Sequence, residues 1–234
     1  MKYRYILFDI DGTLINFPES FRKAAEHVLT RAGVAATKEN IDTYFRYNDD
    51  MWFGLNMGNV ESEYILNNYH PLYEEYIYQA AVKSKEGLNM QGTACELALA
   101  FKKAIGEYAV PHPNSIEVCK ELCKEHVLCI ATNGLNSVQP GKITAYKDCF
   151  EHIFISEALG CIKPTPEYFS HILGALHADA SECIMVGDSL PNDIDGANKS
   201  GIASCYYNPL GLENNSGIIP TYEIRDFNEL FEIV

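Results

Sequence analysis

Tyr5-Ile6-Leu7-Phe8-Asp9-Ile10-Asp11-Gly12-Thr13 is the stretch that decides the fold. Four apolar residues in a row make a strand with no polar face, which suits a sheet covered on both sides. Two carboxylates two apart follow, and then a glycine that lets the chain turn. Carboxylates placed there point into the crevice at the carboxyl edge of a parallel sheet, where open α/β folds bind ligands. A plain polar exit from a strand is the competing reading, but four fixed residues in this order match by chance in only about one or two chains per thousand.

Working outward, apolar runs of strand length recur at 127–131, 152–155, 183–186 and 203–207. Helix-period segments separate them: 115–124, with Ile116, Cys119, Leu122 and Cys123 on one side, then 166–176 and 192–200. Thr165-Pro166 reads as a helix cap followed by proline at the first helical position, and Gly201 as a helix stop. Strands alternating with helices predict an α/β fold, a doubly wound parallel sheet with helices on both faces. The connection after the first strand is far longer than a crossover needs. Its periodic residues are helical: Phe21, Ala24, Ala25, Val28 and Leu29 before Gly33, a Tyr-rich stretch over 41–81, and Ala94, Leu97, Ala98, Phe101 and Ile105 before Gly106. The expected organisation is therefore a core of residues 1–15 and 112–234 carrying an inserted all-α cap of residues 16–111, with connectors at 14–18 and 109–113.

Composition narrows the function. The 234 residues are 47% hydrophobic, enough for a buried core, and 32 acidic against 18 basic side chains give a net charge of -14. That charge repels a nucleic-acid backbone, and no run of Lys and Arg offsets it, so no nucleic-acid polymer is expected as partner. Neither a signal-peptide pattern nor a membrane-length apolar run is present, so a cytoplasmic protein without membrane contact is expected. Eight cysteines with no C-x-x-C pair read as free thiols, most of them buried. The seven histidines lack metal-ligand spacing.

Three later strand ends add to the first. Thr132-Asn133-Gly134 offers a hydroxyl and backbone N–H groups to an anion, Gly160-Cys161-Ile162-Lys163-Pro164 supplies a cation, and Gly187-Asp188-Ser189 is followed by Asp193. Any one of these is commonplace; together they gather acids, a hydroxyl and a lysine around one crevice, a set suited to phosphoryl transfer. Asp9 and Asp188, with the main-chain carbonyl of Asp11, would present hard oxygen ligands to Mg²⁺. Thr132, Asn133 and Lys163 would bind phosphate, Asp9 would attack phosphorus, and Asp11 would act as acid and then base. Ser189 and Asp193 would support the metal ligands from behind.

These four motifs, in this order and with a helical insertion after the first, resemble the haloacid dehalogenase superfamily of phosphohydrolases with a C1-type cap. The resemblance implies a Rossmann-like core, Mg²⁺ as cofactor and an aspartyl-phosphate intermediate. It assigns the nucleophile to Asp9, the acid/base to Asp11, phosphate ligands to Thr132 and Lys163, and a metal ligand to Asp188. Asp193 matches a residue that in relatives orients metal-bound water. The cap stretch Tyr47-Asn48-Asp49-Asp50-Met51-Trp52-Phe53 is similar to that of YjjG-like pyrimidine 5'-nucleotidases, although Met51 replaces a leucine and Pro140-Gly141-Lys142 stands where relatives carry a helix with an arginine. Asn48 and Trp52 are the candidate substrate residues of the cap. For the cap aromatics one by one, core packing is the simpler reading; as a group they could stack on a base.

The expected function is Mg²⁺-dependent hydrolysis of a small phosphomonoester, most simply a nucleoside 5'-monophosphate. A sugar phosphomutase of the β-phosphoglucomutase kind, or a sugar or glycolate phosphatase, is the alternative on the same core. Dehalogenation needs neither a metal nor the second carboxylate, and Asp11 is present. A non-catalytic binding module would be expected to have lost one of Asp9, Asp11, Lys163 or Asp188.

Overall fold

The computed structural model describes residues 2–234. Its contacts divide the chain into two compact units, Met1–Asn16 with Pro111–Asn133 and Ile143–Val234, and Phe17–Val110 with Gly134–Lys142.

The first unit is built on a six-stranded, all-parallel sheet: β1 (Tyr5–Phe8), β2 (Val127–Thr132), β3 (Phe150–Ile155), β4 (Cys183–Gly187), β5 (Ala203–Tyr207) and β6 (Tyr222–Ile224), in the order β3-β2-β1-β4-β5-β6. Helices on both faces complete the doubly wound α/β architecture. The apolar runs of β1 and β4 lie side by side, Phe8 opposite Val186, and every residue in both is buried. Strand order runs one way from β1 through β2 to β3 and the other way from β4 to β6, so the switch point lies between β1 and β4.

β6 has no counterpart among the predicted strands; three residues at a sheet edge are too few to show a period. The helix expected over 192–200 is instead a π-helical turn at Leu190–Ile194 running into a short α-helix, Asp195–Lys199, because Ser189 caps the turn and draws residues 192–194 back over it. Thr165 does stand at the N-cap of the Pro166–Leu176 helix, yet its hydroxyl donates to the Ile162 carbonyl at 2.5 Å and caps nothing. Six of the eight cysteines are buried. Among the described residues, no helix is long and apolar enough to cross a membrane.

The second unit is helical, with α1 (Phe17–Arg31), α2 (Lys38–Gly54), α3 (Glu63–Leu88) and α4 (Ala94–Glu107) around one apolar core. Phe21 is central to it, with ring centroids 4.4 Å from Phe45 and 5.3 Å from Phe101. The Tyr-rich stretch is two helices, and α3 is kinked at Asn68, three residues before Pro71, which cannot donate a helical hydrogen bond.

Residues 134–142, placed with the core by the sequence reading, pack with these helices. Leu135 and Val138 are buried in the helical core, and the Lys142 ammonium lies 5.8 Å from the centre of the Phe17 ring. A close backbone approach joins this segment to α4. A Cβ on Gly141 would lie 3.0 Å from the Gly106 Cα, and one on Gly106 would lie 3.3 Å from the Gly141 Cα and the Val138 carbonyl oxygen. Backbone atoms cannot swing aside, so Gly141→Val is expected to cost about 1–3 kcal/mol through overpacking. The measurement is a lowered urea midpoint at unchanged slope; an unaltered midpoint would show that the joint accepts a side chain.

Candidate active site

At the switch point the chain leaves β1 through Asp9, whose N–H still donates to the Val186 carbonyl at 3.0 Å. The turn that follows is closed by backbone bonds, Ile15 N–H to Ile10 O at 3.0 Å and Gly12 N–H to Ile15 O at 2.9 Å. Gly12 has φ +89°, and a Cβ there would stand 2.3 Å from Asp188 Oδ2, so only glycine lets this turn meet the end of β4. Thr13 completes that meeting. Its hydroxyl donates to Asp188 Oδ1 at 3.0 Å and accepts from the Asp188 N–H at 2.9 Å. Thr13 stood in the first motif with no role assigned; this two-way bond fixes Asp188.

Lys163 reaches the same place from the loop after β3 and is 2% exposed. Its ammonium donates to Asp9 Oδ1 at 2.6 Å, Asp193 Oδ1 at 2.6 Å and the Ala131 carbonyl at 2.8 Å, which matches its three protons. Asn133 clamps the Lys163 backbone from both sides, Lys163 N–H to Oδ1 at 2.9 Å and Nδ2 to the Lys163 carbonyl at 3.0 Å. Asn133, expected to face phosphate, therefore also sets the position of the lysine. Thr132 is buried as the last residue of β2. Asp193 Oδ2 accepts from the Ser189 N–H at 3.0 Å, so both oxygens of that carboxylate are engaged.

One carboxylate oxygen each from Asp9, Asp188 and Asp193 falls within 4.8 Å of the others. Asp11 is half-buried in the neighbouring turn, near enough for its charge to act on Asp9. Burial pushes the Asp9 carboxyl up to about 7; Lys163 opposes this, while Asp193 and Asp11 reinforce it. Asp188 is raised too, by burial and then by the charges of Asp9 and Asp193. Burial pulls the Lys163 ammonium down, but Asp193 and Asp9 outweigh it and hold its pKa above the ordinary value. A single cation thus faces more negative charge than it can neutralise. The donor set suits a hard divalent cation, which prefers carboxylate oxygen. A buried acceptor, Asn192 Oδ1, with no hydrogen-bond partner among the described residues, sits in the turn that joins Asp188 to Asp193.

In the helical unit, Asn48 and Trp52 both lie on α2. Asn48 is 3% exposed, gives one amide proton to the Tyr44 carbonyl at 2.8 Å and accepts from the Tyr76 hydroxyl at 3.4 Å. Trp52 is half-buried and meets Tyr73 and Tyr76 edge-on, with centroids 5.9 and 5.3 Å away.

A strand-end aspartate held by a buried lysine, beside further acids at the switch point of a parallel sheet, is the arrangement on which this unit converges. Residues 3–201 match the family model of haloacid dehalogenase-like hydrolases, and the chain belongs to that family. It is similar to the pyrimidine 5'-nucleotidase YjjG of Escherichia coli, 29% identical over 100% of this chain and 99% of the relative. The pyrimidine 5'-nucleotidase PynA of Streptococcus pneumoniae is 27% identical over 99% of this chain and 95% of its own length. Among solved structures, the magnesium-bound HAD-hydrolase YfnB of Bacillus subtilis superposes with a TM-score of 0.77 at 26% identity, over 100% of this chain and 99% of that one.

Proposed function

We propose that this enzyme is a Mg²⁺-dependent phosphatase of nucleoside 5'-monophosphates, with pyrimidine nucleotides preferred. The observation that carries the reading is the convergence of Asp9, Asp188 and Asp193, two of which, Asp9 and Asp193, pair with the buried Lys163 ammonium. Likeness to YjjG and PynA supports the substrate class. Asp9 and Asp188, with the Asp11 carbonyl, would hold the ion, while Asp193 fixes Lys163. When bound, the ion supplies positive charge that lets an anionic substrate approach a carboxylate.

Asp9 attacks phosphorus with a carboxylate oxygen, and the bond from phosphorus to the ester oxygen breaks. Asp11 gives its proton to the departing alkoxide, so the alcohol leaves neutral. The same carboxylate then takes a proton from water, whose oxygen attacks the aspartyl-phosphate and frees inorganic phosphate and Asp9. Lys163 keeps the Asp9 carboxylate in its orientation throughout and lends charge to the phosphate, with Thr132 and Asn133 as neighbouring ligands. Trp52, held among the cap tyrosines, would provide a face for the base; Asn48 keeps Tyr76 in place behind it.

The deciding experiment measures phosphate release from pyrimidine and purine monophosphates, sugar phosphates and phosphoglycolate, with MgCl₂ or with EDTA. Pyrimidine monophosphates are expected to turn over fastest, and EDTA to reduce turnover by at least about 100-fold. Equal turnover in EDTA would end the metal-dependent reading. A clear preference for sugar phosphates would move the substrate assignment to that class, and accumulation of an isomerised sugar phosphate without phosphate release would identify a mutase.

A further inference from the structure

The four residues between Asp188 and Asp193 do more than space two acids. In this π-helical turn, Asp193 N–H bonds the Ser189 carbonyl at 2.9 Å and Ile194 N–H bonds it at 3.3 Å. Both the backbone N–H and the side-chain Nδ2 of Asn192 point at Ser189 Oγ, at 3.3 and 3.0 Å. The Asn192 side chain is thereby pinned, and its carbonyl oxygen, Oδ1, is buried with no donor among the described residues. A buried acceptor left unmet costs about 1–3 kcal/mol, so such an atom calls for a donor.

That donor cannot be a phosphate oxygen, which is itself an acceptor. Water and cations remain. The turn begins beside Asp188 and ends on Asp193, two members of the carboxylate cluster. Mg²⁺ keeps several of its waters when bound by only one or two carboxylates, and such waters are strong donors. We infer that Asn192 Oδ1 accepts a hydrogen bond from a water carried by the divalent ion, which makes Asn192 a positioning residue for the metal and its hydration. The inference rests on reading the cluster as a metal centre. It adds to that reading a residue that the spacing of acids in the sequence does not reveal.

The test is Mg²⁺ binding to the full chain by calorimetry, together with the rise in unfolding temperature that Mg²⁺ produces. Four proteins are compared: wild type, Asn192→Ala, Asn192→Asp and Asp188→Asn. Outer partners of metal sites are worth about 10–100-fold in affinity, so Asn192→Ala is expected to weaken Mg²⁺ binding by that factor and to shrink the Mg²⁺-induced rise. Asn192→Asp keeps an acceptor at the same place and is expected to restore binding. If Asn192→Ala binds Mg²⁺ within twofold of wild type while Asp188→Asn does not, the role given to Asn192 is wrong. An equal loss of unfolding temperature with Mg²⁺ and with EDTA would show that Asn192 only braces the turn. If Asp188→Asn also binds as wild type does, the metal centre itself is refuted.

Discussion

Asp9→Asn is expected to lower phosphomonoester turnover by on the order of 10³-fold or more, the scale at which loss of a nucleophile registers. Asparagine has the same shape and can still accept from Lys163, so the fold should persist. The same variant carries a signature in stability. In metal-free protein the Asp9 pKa sits at about 7, above the unfolded value near about 4, so the folded chain holds that proton more tightly. Stability from this group is therefore complete below about pH 4 and is lost as pH rises through 7. Asparagine cannot titrate, so urea midpoints measured in EDTA should fall less steeply across that window in Asp9→Asn than in wild type. Parallel curves would mean that Asp9 is not held protonated by its surroundings, and wild-type turnover in the variant would remove it as nucleophile.

Lys163→Met tests the other half of the site and is expected to damage folding as well as chemistry. Methionine fits a buried, elongated space but leaves Asp9 and Asp193 without their common cation. Stranding buried carboxylates in this way costs about 3–5 kcal/mol. The loss should show as a large drop in the urea midpoint at pH 8 that becomes smaller at pH 5, where Asp9 can take up a proton instead. Turnover should vanish at both values. Lys163→Arg is not expected to rescue, since a planar guanidinium cannot aim three donors at Asp9, Asp193 and the Ala131 carbonyl together. Wild-type stability in Lys163→Met at pH 8 would show that the carboxylates do not depend on this ammonium.

Much of this was legible in advance because the carrying signals are local. Tyr5–Phe8 and Cys183–Gly187 are apolar throughout, as strands covered on two faces must be, and their polar ends mark the crevice. Period-3.6 patterns similarly exposed α1 and α4. What escaped depends on relations between distant residues. Thr13 matters through a bond to Asp188, 175 positions away. Asn192 stands out only once every neighbouring donor has been placed. The transfer of residues 134–142 to the helical unit turns on two glycines, Gly106 and Gly141, meeting backbone to backbone, a contact with no periodic trace.

That last feature bears on how such enzymes can be recombined. Excising residues 17–110 and closing the gap would not leave a tidy minimal catalytic core. Leu135 and Val138 would be stripped of the apolar company that buries them, directly after the Thr132-Asn133 pair. A chimera that borrows a relative's helical unit has to import two pieces of sequence, the long insertion and the nine residues of Gly134–Lys142, as a matched set. The helical unit of this chain is thus a discontinuous module.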